Sequence, residues 1–398
     1  MNAADHPGTP ERAGVERAGD DRAGGDHARE DRAGADQVGG WARGDHAGVD
    51  VVIAVHTPTR PIARAVRSVL DHNAGGVHLI VVCHNIAAEQ IRAEVDPRHQ
   101  EQITWLEHHD GKHHPAGPFN AGIRAATGDY IAIMGSDDVL QPGAISSWYW
   151  LARRHRAEAV IARLERAGRV VPTPPTRPLR RTRLDGVKDR LCYRSAPLGL
   201  VSREVVTRLG LRLDEEVAVG DDVGFVTRLW FHTRVVFDRR GPAYVIGEDA
   251  ADRVTYSPRP VATELAFLTR LLRQHWFTRL DLHQRRAAVA KYVRIHLFGA
   301  VHHRDDPEGW TVGERTDLAE VARALLRSAP GCEAVFSLAE RALLEEIQNP
   351  GGEAHRLVQL SRARRRHGRP TTVLTRDLTH LLAREAPLRL MAASVLMR

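Results

Sequence analysis

The feature that most constrains this chain is a set of three short apolar runs: Val51-Val52-Ile53-Ala54-Val55, Val77-His78-Leu79-Ile80-Val81-Val82 and Tyr130-Ile131-Ala132-Ile133-Met134. Nearly continuous runs of this kind, rich in β-branched residues, read as strands covered on both faces. Between the first two, Pro58 and Pro61 mark a turn, Ile62, Val66, Val69 and Leu70 fall at helical spacing, and Gly75-Gly76 breaks the chain. Strand, helix, strand implies a right-handed parallel crossover. Gly122 to Thr127 reads as a further helix that ends at Gly128, just before the third strand. The repetition predicts an α/β fold with a Rossmann-like, mostly parallel sheet. Its ligand crevice should lie outside the carboxyl ends of the strands.

The flanks differ from this pattern. Residues 1–48 repeat Glu11-Arg12-Ala13-Gly14, Glu16-Arg17-Ala18-Gly19, Asp21-Arg22-Ala23-Gly24 and Asp31-Arg32-Ala33-Gly34. With so few large apolar side chains they cannot offset their ordering entropy, so a disordered low-complexity tail is expected. From about Pro258, Leu265, Leu268 and Leu272 share a helical face, as do Val289, Val293 and Leu297, then Leu318, Val321 and Leu325. The expected organisation is therefore a tail (1–48), an α/β domain (49–257) and a helical C-terminal region (258–398).

Several classes are excluded. Cys83, Cys192 and Cys332 are three, far apart and without CxxC spacing. This argues against a disulfide framework or a thiolate zinc site and fits a reducing cytoplasm. No apolar run approaches the length of a bilayer span, and the start lacks the character of a signal peptide, so a cytoplasmic, soluble or peripherally held protein is expected. A net charge of +7 suits phosphate-rich partners. The absence of G-x-G argues against a dinucleotide dehydrogenase, and the absence of GxxxxGK[ST] excludes a P-loop enzyme. Nucleic acid has only the net charge in its favour.

Two acidic pairs stand at informative places. Gly135-Ser136-Asp137-Asp138 directly follows the third strand, where adjacent carboxylates face the crevice and raise each other's pKa. A hard divalent cation such as Mn2+ or Mg2+ resolves that repulsion and could neutralise a departing diphosphate. The competing reading makes Asp138 a cap for the helix near Pro142 to Ile145. Asp221-Asp222 follows Gly220 and precedes a helical run with Val223, Phe225, Val226, Leu229 and Trp230. Each of these acids either caps that helix or serves as a general base toward a hydroxyl.

Taken together, Val51 to about Thr255 resembles the family 2 glycosyltransferases of the GT-A fold. The resemblance rests on Gly117-Pro118-Phe119-Asn120-Ala121-Gly122, Ala126-Thr127-Gly128-Asp129-Tyr130-Ile131, Ser136-Asp137-Asp138 and Pro142. It implies inverting transfer of a sugar from a nucleotide-diphosphate donor to a glycan, polymer or lipid-linked hydroxyl. It assigns metal binding to Asp137 with Asp138 beside it, and the base to Asp222 with Asp221 as its companion. Ala54, His56, Thr57, His84, Asn120, Ser136, Asp137 and Arg253 would line the donor side, with Arg253 and Thr255 in a segment that closes over the diphosphate.

There are departures from the family pattern. Gly135 stands where many members carry the first metal-binding acid. Cys83-His84 replaces acids near the donor's base, and Ala54 and Thr57 replace a frequent Pro and Asn. These imply altered donor binding, or alternatively an inactive GT-A fold that binds a glycan or nucleotide. The His108 to His114 run is rich in possible ligands but lacks metal-site spacing, and is read as an acceptor-side loop. Leu388, Leu390, Met391, Val395 and Leu396 among Arg384, Arg389 and Arg398 suggest either a packing helix or one for peripheral membrane contact.

Overall fold

A computed structural model describes residues 48–73, 76–248 and 259–397. The repetitive tail, Arg253 and Thr255 lie outside the described residues. The three apolar runs form β1 (Val49–Val55), β2 (Val77–His84) and β4 (Tyr130–Gly135), with β3 at Ile103–His108. Two short strands, β5 (Val139–Leu140) and β6 (Ala159–Ala162), follow. The remainder are β7 (Leu164–Arg166), β8 (Arg169–Val170), β9 (Gly199–Ser202), β10 (Val235–Asp238) and β11 (Tyr244–Ile246).

The main sheet has the order β10-β6-β9-β4-β1-β2-β3. The block β3-β2-β1-β4 is parallel throughout. β9 runs antiparallel to both of its neighbours, and β6 and β10 pair in parallel. A smaller sheet, β5-β11-β7-β8, lies beyond it. Two-sided burial explains the continuous runs: all of β1 is buried except the partly exposed Ala54. Helix Ala116–Ala125 packs closely on β1, because a Cβ at Gly122 would collide with Val52.

One end of the parallel block is fastened by a buried acid. Asp50 accepts the amides of Thr127 and Gly128 at 2.6 Å each, and its other oxygen meets His78 Nδ1 at 2.7 Å. Burial works against its charge, but His78 and the two amides hold its carboxyl below the usual range.

After residue 259 the described chain is helical apart from an isolated bridge between Ser337 and Thr375. The three expected leucine and valine faces enter one apolar core, which also takes in Cys192, Val217 and Val223 from the preceding part of the chain. A buried polar network adds to this. Arg294 donates to Glu340 at 2.8 and 3.1 Å and to the Tyr193 hydroxyl at 3.1 Å, and that hydroxyl donates to Glu385 at 3.1 Å. No helix among the described residues is long and apolar enough to cross a membrane. In the last helix, Pro387–Leu396, Leu388, Met391, Val395 and Leu396 are exposed.

Candidate active site

The carboxyl ends of β1, β2 and β4 open into a cavity of about 1350 Å³. Ala54, His56, His84, Ser136, Asp137, Asp138, Asp221 and Asp222 all line it. Residues more than 80 positions apart therefore share one wall system, as the crevice rule for parallel sheets requires.

The first acidic pair divides into two roles. Asp137 Oδ2 lies 3.2 Å from Arg60 Nη1, and its backbone carbonyl accepts Arg64 Nη2 at 2.8 Å. Asp138 is held from beneath: the Tyr244 hydroxyl donates to it, and the Gly247 amide donates at 2.8 Å. Burial, helped by Asp137, nevertheless raises the Asp138 carboxyl. It caps no helix, because the next one starts at Ala144 behind Gly143, which has φ +78°. A Cβ at Gly135 would lie 2.6 Å from Asp138 Oδ2. The space in which an acid at 135 would begin is therefore filled by the Asp138 carboxylate.

A divalent ion needs several oxygen donors. Among the described residues no three His, Cys, Asp or Glu side chains converge as a metal site. Asp137 is engaged by Arg60, and Asp138 by Tyr244 and Gly247. The described residues do not by themselves build a metal cage.

His84, at the end of β2, is buried and its Nε2 lies 2.7 Å from Asp110 Oδ1. Burial lowers the His84 pKa in spite of that carboxylate. Asp110 itself is held well below the carboxylate range, since His84 and the Lys112 amide outweigh its desolvation. A carboxylate thus reaches this corner from the His-rich segment after β3. The segment is tied down by Asn85, whose side chain accepts the amides of Asp110 and Gly111 and donates to the Lys112 carbonyl.

Asp222 occupies the position before helix Val223–His232, yet its side chain makes no capping hydrogen bond. Asp221 and Asp222 are partly exposed to the cavity but sit deep in protein. Burial first, then repulsion from Asp221, raises the Asp222 carboxyl, against the opposing pull of Lys291. Asp221 is also raised by burial, with His114 opposing.

Two of the residues expected on the donor side do not line the cavity. Asn120 is buried away from the cavity wall: its Nδ2 donates to the Leu213 carbonyl at 3.0 Å and Glu215 Oε1 at 2.7 Å, while Oδ1 accepts the Leu213 amide. Its amide braces the loop at Leu213–Glu215. Thr57 is not on the wall either; its hydroxyl bonds within its own turn, to Thr59. Arg253 lies outside the described residues. Sequence reasoning missed Arg60, Tyr244, Lys291 and His296, none of which belongs to a recognisable local pattern, and it read Asp110 only as part of the His108 to His114 run.

Comparison with known proteins agrees with this geometry. Residues 50–209 match the profile of Glycosyl transferase family 2. The succinoglycan biosynthesis protein ExoO of Rhizobium meliloti is 35% identical over 97 residues, 24% of this chain and 26% of that protein. The chain therefore spans about a quarter of that relative's length. The S. aureus TarS 1–349 structure in complex with UDP-GlcNAc superposes with a TM-score of 0.66 at 13% identity, covering 81% of this chain and 93% of that one. Its UDP complex gives 0.62 at 14% identity with the same coverage. Residues 50–209 are thus similar to glycosyl transferase family 2, and the fold is GT-A.

Proposed function

We propose that the protein is a glycosyltransferase that moves a hexosyl or N-acetylhexosaminyl group from a nucleotide-diphosphate donor to a hydroxyl of a glycan, cell-surface polymer or lipid-linked acceptor. The observation that carries this reading is that Asp137 with Arg60 and Asp221-Asp222 line one and the same cavity. A family 2 segment and the likeness to a fold described with UDP-GlcNAc support a nucleotide-sugar donor.

In this reading Asp222 accepts the proton of the acceptor hydroxyl. The oxygen attacks the anomeric carbon as the bond from that carbon to the diphosphate oxygen breaks, and the nucleoside diphosphate leaves with the electron pair. Attack opposite the leaving group inverts the anomeric centre. Arg60 offers a guanidinium fork to phosphate oxygens. Manganese or magnesium, the cofactor the family implies, would have to draw most of its ligands from the donor diphosphate. The exposed apolar face of Pro387–Leu396, beside Arg384 and Arg389, is the proposed surface for peripheral contact with an anionic membrane.

The test is a thermal shift with a panel of nucleoside diphosphates, followed by a transfer assay on Asp222→Asn. A ligand that binds only the folded state raises the midpoint. Stabilisation by one nucleotide, retained in Asp222→Asn while transfer is lost, is the expected result. Full transfer by Asp222→Asn removes the base assignment, and nucleotide binding with no transfer by the native protein establishes a binding module instead.

A further inference from the structure

The loop that carries the acid pair is backed by the helical region. Gly220 has φ +72°, and a Cβ there would come within 2.6 Å of the Phe267 ring, so that ring lies directly on the loop. His296 meets Phe267 edge-on, with centroids 4.9 Å apart at 77°. Lys291 is buried, its Nζ lies 2.8 Å from His296 Nε2, and it stands 5.5 Å from the Tyr292 ring centroid. The Tyr292 hydroxyl lies 2.6 Å from Thr227 Oγ1, on the helix that Asp222 begins.

A local irregularity makes the Lys291–His296 contact. Helix Leu282–Lys291 passes into a π-helical turn, Tyr292–Leu297. On an α-helix, residues five apart diverge by about 140°; a π-turn, with its i→i+5 register, stacks them. Single-turn π-segments inside α-helices are frequent at functional sites. The partner so gained is a ring nitrogen and not a carboxylate, so the ammonium is hydrogen-bonded but not neutralised. A buried charge in that state is costly, and its field acts on what lies near: Asp222 and Cys192. His296 itself lines the cavity.

We propose that Lys291, held by His296, is a positioning residue for transfer: a fixed positive charge behind the acid pair that favours the carboxylate form of Asp222. The proposal rests on the reading of Asp222 as base. The groups facing Lys291 are Asp222 from the acidic loop, Cys192 from the turn at Leu191–Tyr193, and Tyr292 and His296 from its own helix. Burial keeps His296 neutral, its pKa pushed well down and further lowered by Lys291, so the ring accepts the hydrogen bond from the ammonium. Burial also lowers Lys291 itself, to about 8 with Asp222 opposing, which leaves it largely charged at neutral pH.

The test compares Lys291→Met, Lys291→Arg and Asp222→Asn in full-length protein, measuring transfer against pH and nucleoside-diphosphate binding by thermal shift. Lys291→Met is expected to bind nucleotide within about twofold of the native protein, to lose roughly fivefold or more in kcat at pH 7, and to recover toward pH 9, since raising Asp222 by one pKa unit from about 7 cuts its ionised fraction at pH 7 from about a half to about a tenth. Lys291→Arg should keep most of the native rate at pH 7. The melting curve of Lys291→Met at pH 7 shows whether folded protein is being assayed, and Lys291→Arg supplies the charge-retaining control. If Lys291→Met keeps the native pH profile, or loses nucleotide binding and rate equally at every pH, the proposal is overturned. If Asp222→Asn transfers normally, the base reading itself fails and takes the proposal with it; if Asp222→Asn is dead while Lys291→Met is unchanged, only the role of Lys291 falls.

Discussion

Arg60 Nη1 and Asp137 Oδ2 stand 3.2 Å apart on the cavity wall, with both side chains mostly shielded from solvent. In the proposed reaction this pair meets the donor's diphosphate, and the guanidinium supplies its positive charge. Arg60→Met should weaken nucleoside-diphosphate binding at least about tenfold, roughly 1.4 kcal/mol, as read by calorimetry. Unchanged affinity would move the phosphates elsewhere in the cavity.

The rate should rise with pH through the neutral range. Burial pushes the Asp222 carboxyl up to about 7, and only the deprotonated form accepts a proton, so kcat/KM should fall roughly tenfold per unit below that point. The stability contributions follow by linkage. The raised pKa of Asp222 favours folding at pH values below the unfolded carboxyl's, about 3.9, and this contribution is lost as pH climbs through about 7. Lys291, depressed to about 8, contributes above its unfolded value of about 10.4 and loses that contribution as pH drops through about 8. A pH-rate profile that stays flat between 5 and 9 would exclude Asp222 as the base.

Manganese alone should leave the melting temperature unchanged, because no three donor side chains converge among the described residues. A clear rise with manganese and no nucleotide would reveal a protein-built site.

The Arg294–Glu340 pair makes a stability prediction. Both side chains are buried, at 2.8 and 3.1 Å, and Glu340 also caps its helix with Ser337. Glu340→Ala should cost about 3–5 kcal/mol by leaving a buried guanidinium without its main partner. Denaturant titration measures it, and a loss below about 1 kcal/mol would mean that Glu385 and Tyr193 suffice.

Peripheral contact is tested by sedimentation with vesicles. Binding to phosphatidylserine-containing vesicles, and not to neutral ones, should weaken in a Leu388→Ser, Val395→Ser double variant. Equal recovery with both vesicle types, or with neither, would remove the last helix from that role.

What was legible in the sequence follows from burial. β1, β2 and β4 are largely covered on both faces, so apart from Asp50, His78 and His84 their residues are apolar, and the runs stand out. β3 is only partly covered, and its Ile103-Thr104-Trp105-Leu106-Glu107-His108 carries a weaker pattern. β9 is four residues long and opens on Gly199 at φ +133°, where a Cβ would strike β6; nothing local distinguishes it from a turn. The acids of the site could be found because each pair lies just after a glycine and before an element. Asn120 sat in the best-matching motif, yet its amide is used on Leu213 and Glu215. Lys291 could not be found, because a lysine in a helical run reads as solvated until the π-turn and the packed rings around it are known.

The apolar core that joins Val217, Val223 and Cys192 to Val289, Val293 and Leu297 means that the change from strands to helices along the chain is not a seam in the folded solid. Cutting the protein after residue 257 would strip the cover from those side chains and remove Lys291, His296 and Phe267 from behind the acid pair. A shortened expression product would be a sticky fragment, and a minimal catalyst made from this chain has to keep its helices.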